Sequence, residues 1–171
     1  AMPVTGWPTV IFQHGITRNR EDMLGIASTL ALGGAPSFCA AVVAIDLPLH
    51  GVTNTKDPFY VKGHERTFDM DLENNATLAA GPDGTIDSSG AWFINLTSTI
   101  TSRDNLREGA ADLINLSATV PTLSAGTNTF DGSKLFYVGH SLGAIVGTTF
   151  LGADTEGHLL GRSEEHTSEL Q

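Results

Sequence analysis

Cysteine is nearly absent: Cys39 is the only one among 171 residues. A single thiol cannot build an internal disulfide framework. Basic residues are scarce as well. Nine Lys and Arg face 19 Asp and Glu, for a formal net charge of −10. So acidic a chain lacks the basic patches that phosphates demand, which argues against nucleic acid as its main partner. No apolar run reaches the ~18 residues of a transmembrane helix. The start, Ala1-Met2-Pro3, has neither the basic opening nor the apolar core of a signal peptide. Charged residues make up only 16% of the chain and apolar ones 40%, which argues against disorder. The length allows one globular domain with a sizeable core.

The last ten residues, Arg162 to Gln171, match codon for codon the in-frame translation of a common sequencing adapter. They are set aside from fold reasoning as a non-native tail. Removing their one Arg and three Glu leaves −8 on residues 1–161, so that part remains acidic. Residues 1–161 are expected to be an incomplete domain, cut off by the end of a read.

Apolar runs alternate with helical patterns along the chain. Thr9-Val-Ile-Phe12 reads as a buried strand. Asn19 then caps a helix carrying Met23, Ile26, Ala27, Leu30 and Ala31 on one stripe, ended by Gly33-Gly34. Cys39 to Ile45 lacks polar alternation and is expected to be a strand buried on both faces, with Cys39 as a small apolar residue in it. Residues 52 to about 101 are rich in Asn, Asp, Thr and Gly and too long for a plain loop. They are read as an insertion and a candidate lid. A helix is expected after Ser102, with Leu106, Ala110, Leu113, Ile114 and Ser117 on its inner stripe. A loop over 121–132, a strand over Lys134–Val138 and a helix over Leu142–Leu151 complete the order. The fold class is α/β, with a parallel sheet and flanking helices.

Between the last strand and the last helix stands Gly139-His-Ser-Leu-Gly143. In a strand–turn–helix setting this G-x-S-x-G pattern marks a nucleophile elbow. Ser141 is the candidate nucleophile. The N–H of Leu142 at the helix start suits the oxyanion of a tetrahedral acyl intermediate. His14-Gly15 follows the first strand, and the Ile16 N–H is the candidate second donor. The His14 side chain is read as a turn histidine bonding locally rather than as a proton carrier. His140, adjacent to the nucleophile on a sharp turn, is read as a packing residue. His50 and Asp46, in Asp46-Leu-Pro-Leu-His-Gly51, are assigned to the turn.

Asp69, Asp71, Asp83 and Asp87 lie in the insertion. They lack the full twelve-residue calcium pattern and are expected to serve a solvated turn or hairpin. His64-Glu65 and His158 have no ligand-like spacing, so no metal or other cofactor is expected. Asn75, Asn95 and Asn115 begin glycosylation sequons, which carry meaning only in a eukaryotic secretory setting.

Several blocks together go beyond a single motif: Val10 to Thr17, Ala44 to Gly51, Glu65-Arg-Thr-Phe68, Thr101-Ser-Arg-Asp-Asn-Leu-Arg107 and Val138 to Gly143. Over residues 7 to 152 the chain resembles the VolA-like bacterial virulence-factor lipases. The resemblance implies an α/β-hydrolase fold, serine lipase or esterase chemistry on a small-molecule or lipid ester, transient contact with lipid surfaces, and an extracellular or cell-surface location. It implies Ser141 as nucleophile and Ile16 and Leu142 as oxyanion donors. The family's acid and histidine lie after the elbow strand. Here Asp154, Glu156 and His158 follow too soon to reach the sheet edge from later strands. Without acid and base the 171-residue chain is expected to be inactive, with activity belonging to a longer parent. The alternatives are a short-chain carboxylesterase or acyltransferase of the same fold, or a hydrolase fold used only for binding.

Overall fold

The computed structural model describes residues 3–32 and 39–154. Gly33-Gly34, Glu156, His158 and the tail 162–171 lie outside the described residues. The elements run β1 (Trp7–Gln13), α1 (Leu24–Leu32), β2 (Ala41–Ala44), α2 (Thr99–Thr119), β3 (Ser124–Ala125), β4 (Asn128–Gly139) and α3 (Leu142–Ala153). A 3₁₀ turn, Arg20–Met23, leads into α1. The sheet order is β2-β1-β4-β3. β1 runs parallel to both β2 and β4, while β3 pairs antiparallel with β4. The α/β class is as expected, but the sheet is mixed. The expected loop over 121–132 instead holds a 3₁₀ turn and the short β3–β4 hairpin.

β1 lies between two partners, and Thr9 to Gln13 are all buried. That matches its unbroken β-branched and apolar run. β2 differs from expectation. It spans four residues, each half-buried, because among the described residues it has one strand neighbour, β1. Cys39 is exposed and precedes the strand, so it is not the small core residue expected from its apolar neighbours.

Asn19 caps the first helical segment, its side chain accepting the Glu21 N–H at 2.8 Å. Met23, Ile26, Ala27 and Leu30 are half-buried, whereas Ala31 is exposed. α2 begins earlier than expected. Ser98, not Ser102, is its cap and accepts the Thr101 N–H. Ser102 instead holds the preceding turn, accepting from Asn95 N–H and donating to Asn95 O. The expected inner stripe of α2 holds, with Ala110, Leu113 and Ser117 buried and Leu106 and Ile114 packed against the core. That core joins Ile11 of β1, Leu113 of α2, Leu135 and Tyr137 of β4, and Val146 and Phe150 of α3. No helix among the described residues is long and apolar enough to cross a membrane.

The segment between β2 and α2 has no helix and only one isolated bridge, Glu73 to Ala80. Its order comes from side chains. Asp87 accepts the N–H groups of Leu72 and Glu73 and the Trp92 indole N–H. Asp71 accepts from Asp83 and Gly84, and Asp83 from Asn75 and Thr85. These carboxylates close turns, as expected, although Asp87 is buried rather than solvated. Among the described residues no group of three His, Cys, Asp or Glu is placed to hold a metal. Phe93, from the same segment, is fully buried in the core.

Candidate functional site

Because β1 is parallel to both neighbours, Gln13, Ala44 and Gly139 end at one edge of the sheet. The chain leaves β1 toward β2 on one side and later returns as β4 on the other. In open α/β sheets ligands bind at such a reversal, beyond the carboxyl ends of the strands. The loops that meet there are 14–19, after β1, and His140-Ser141, after β4.

Ser141 joins β4 to α3 with φ 53° and ψ −116°. L residues rarely adopt this conformation, and it persists only where surrounding structure imposes it. Two neighbours impose it here. His140 N–H donates to Gln13 O at 2.9 Å, tying the turn to β1. A methyl group on Gly143 would come within 2.3 Å of Gln13 O, and one on Gly139 within 2.7 Å of Ala144 N. Both glycines are required by the closeness of the backbones. The Tyr137 hydroxyl, buried beneath, donates to Gly143 O at 2.6 Å and fixes the first turn of α3.

Ser141 is thereby exposed above the start of a helix, and its side chain caps nothing. The Gly15 backbone lies against it: a methyl there would be 3.1 Å from Ser141 Cβ. Gly15 and Ser141 are thus brought together from 126 residues apart. Leu142 is buried and Ile16 half-buried, and neither N–H is bound in the turns and caps of the described residues.

The histidines occupy other places. His140 is exposed beside Gly15, not packed as expected. His14 is fully buried, bonding Gly15 O through Nδ1 at 2.8 Å and accepting the Leu47 N–H on Nε2 at 3.1 Å. Burial holds its pKa below the ordinary value, although Gly15 and Asp46 pull upward. His50 is also fully buried, bonding Pro48 O through Nδ1 and lying 5.1 Å edge-on to Phe93. Desolvation lowers its pKa to about 4. Both are neutral turn residues, in line with the sequence assignment.

Asp46 does more than stabilise its own turn. It accepts Arg20 N–H at 2.6 Å and pairs with the Arg20 guanidinium. The same guanidinium reaches both oxygens of Glu65 at 2.8 Å and Phe59 O at 2.6 Å. Glu65 also accepts from Val52 and Val61. Burial opposes the Glu65 charge, but Arg20 and these amides outweigh it and lower its pKa. Arg66 adds a bond to Asp46 O and a pair with Asp112 of α2. Farther along, Ser89 Oγ donates to Arg18 O at 2.6 Å while accepting Gly51 N–H.

The insertion is therefore tied at both ends to the loop that follows β1. Arg20, Glu65 and Ser89 carry these ties, Arg66 joins the insertion to Asp46 and to α2 instead, and none of the four has a role assigned from sequence alone. A charge pair across 45 residues leaves no periodic trace. An apolar groove of about 280 Å³ opens beside β2, lined by Arg20, Met23, Leu24, Val42, Ala44 and Phe59. Ser141 is not among its lining residues. No family model matches the chain, and neither a curated protein nor a solved structure matches it. What the site can do rests on its geometry.

Proposed function

We propose that the chain carries the nucleophile and oxyanion side of a serine ester hydrolase of the α/β-hydrolase fold. The observation that supports this most is Ser141 at φ 53°, exposed between strand and helix with the Gly15 backbone against it. In this mechanism Ser141 Oγ bonds to the ester carbonyl carbon while its proton passes to a base. The carbonyl π pair becomes an oxyanion between the Ile16 and Leu142 N–H groups. Collapse breaks the bond to the alcohol, which leaves with the proton, and water then releases the acid.

The base is not supplied by His14, whose two ring nitrogens both bond backbone groups, or by His50, which is fully buried with Nδ1 on Pro48 O. Asp154 follows the far end of α3, about 18 Å along the axis from Leu142 at 1.5 Å per residue. The 171-residue chain is accordingly a weak ester hydrolase or none, and a non-catalytic binding role is the second reading. A lipid or other apolar ester is the proposed substrate class, with transient contact at lipid surfaces.

A fluorophosphonate probe tests the chemistry. Covalent labelling at Ser141, lost in Ser141→Ala, supports the hydrolase reading. The binding role is supported if a longer parent chain that supplies an acid and a histidine also stays unlabelled while folded. Turnover of p-nitrophenyl esters by the full-length parent across a series of acyl lengths then separates lipase from short-chain esterase, the latter favouring short soluble esters.

A further inference from the structure

We propose that His14 is a positioning residue: its imidazole sets the Gly15–Ile16 peptide plane and so aims the Ile16 N–H at the oxyanion position. This rests on the ester-hydrolase reading above. It starts from the two bonds of the His14 ring. The Leu47 N–H can only donate, so His14 Nε2, 3.1 Å away, carries a lone pair. The neutral ring then holds its proton on Nδ1, which donates to Gly15 O at 2.8 Å. The other neutral tautomer would set a lone pair against Gly15 O and a hydrogen against Leu47 N–H. Its remaining acceptor, Asp46 Oδ1, is 3.6 Å from Nε2, too long for a hydrogen bond.

A peptide unit is planar and trans, so its C=O and the next N–H point in opposite directions. Holding Gly15 O inward on the buried imidazole turns the Ile16 N–H outward. Gly15 itself lies beside the nucleophile, where a methyl on it would be 3.1 Å from Ser141 Cβ. One further bond acts on the same carbonyl: Arg18 N–H reaches Gly15 O at 3.3 Å across a tight turn. That turn has Thr17 at φ 63°, an unfavourable conformation for a β-branched residue. The turn alone is therefore a poor clamp, and the shorter imidazole bond sets the plane. The far end of the loop is held separately, by Ser89 on Arg18 O and by Asp46 on Arg20 N–H.

Nuclear magnetic resonance of the full chain, with nitrogen-15 in histidine and isoleucine, tests the orientation. The wild-type His14 ring is expected as the Nδ1–H tautomer near neutral pH. In His14→Leu and His14→Gln the Ile16 amide resonance is expected to move, with Ile11 and Ile114 unmoved. In His14→Asn, whose amide can donate from nearly the Nδ1 position, Ile16 is expected to return. The rate of fluorophosphonate labelling is expected to fall at least ~10-fold in His14→Leu at unchanged half-saturating probe concentration, since oxyanion donors act on the transition state. It is expected to recover in His14→Asn. An Nε2–H tautomer in the wild type, an unmoved Ile16 amide or an unchanged labelling rate would each overturn the assignment. A wild-type chain that never labels is what the missing base alone would give, and the tautomer and the Ile16 amide then decide the orientation. If the variants do not fold, the wild-type tautomer decides it.

Discussion

Ser141 is held at φ 53° and ψ −116° by the packing of α3 on β1, not by any preference of its own. Such strain costs on the order of 1–3 kcal/mol. Ser141→Gly is thus expected to raise stability by about 1 kcal/mol in urea denaturation while removing the nucleophile, and Ser141→Ala is expected to leave stability unchanged. The opposite holds at Gly143, where a methyl would fall 2.3 Å from Gln13 O. Gly143→Ala is expected to lose at least ~2 kcal/mol by the same measurement. These positions were legible in the sequence, because G-x-S-x-G states a backbone requirement in residue types. The partners of His14 were not. A histidine that bonds the peptide beside it and the amide of a residue 33 positions later looks, in sequence, like any turn histidine.

The insertion between β2 and α2 is the element whose character changed most. Its length and composition suggested a lid, yet Phe93 is fully buried and Arg20 joins Asp46 to Glu65 across the segment's start. These contacts tie parts of the segment to the loop that follows β1. Arg20→Leu would leave two buried carboxylates without their cation, a change that typically costs 3–5 kcal/mol. Chemical denaturation is expected to register that loss, and limited proteolysis is expected to cut within residues 53–64 of the variant first. The turns of the Asp-rich half are closed by backbone amides, so chelator or added calcium is expected to leave the melting temperature unchanged. The elements themselves were legible where period and burial agreed, as in β1 and the α2 stripe. They were not legible at β2, whose apolar composition resembles a central strand although among the described residues it has one neighbour. The short β3 hairpin carries no pattern at all over two exposed residues.

At the scale of the whole molecule, buried histidines contribute to the response to acid. His50 is held neutral in the fold, with its pKa lowered from 6.5 to about 4, and His14 is lowered in the same direction. The unfolded chain therefore binds more protons than the folded one through this window. Stability is complete above about pH 6.5 and falls as the pH drops toward 4, by roughly 3 kcal/mol for His50 at ~1.4 kcal/mol per pH unit. Urea midpoints taken across that range are expected to show the slope, and His50→Asn is expected to flatten it. Glu65 and Asp87, whose pKa values are also lowered, lose their contributions only at lower pH, as their carboxylates protonate.

The half-buried β2 has a consequence for how copies of the protein meet. Among the described residues one side of its backbone has no strand beside it, and such an edge is a template for another chain. A net charge of −10 keeps copies apart at low ionic strength. At 1 M salt the screening length shrinks to about 3 Å, and that protection fades. Colloidal stability is then set by the ionic medium rather than by folding, and light scattering should rise with salt well before the chain unfolds.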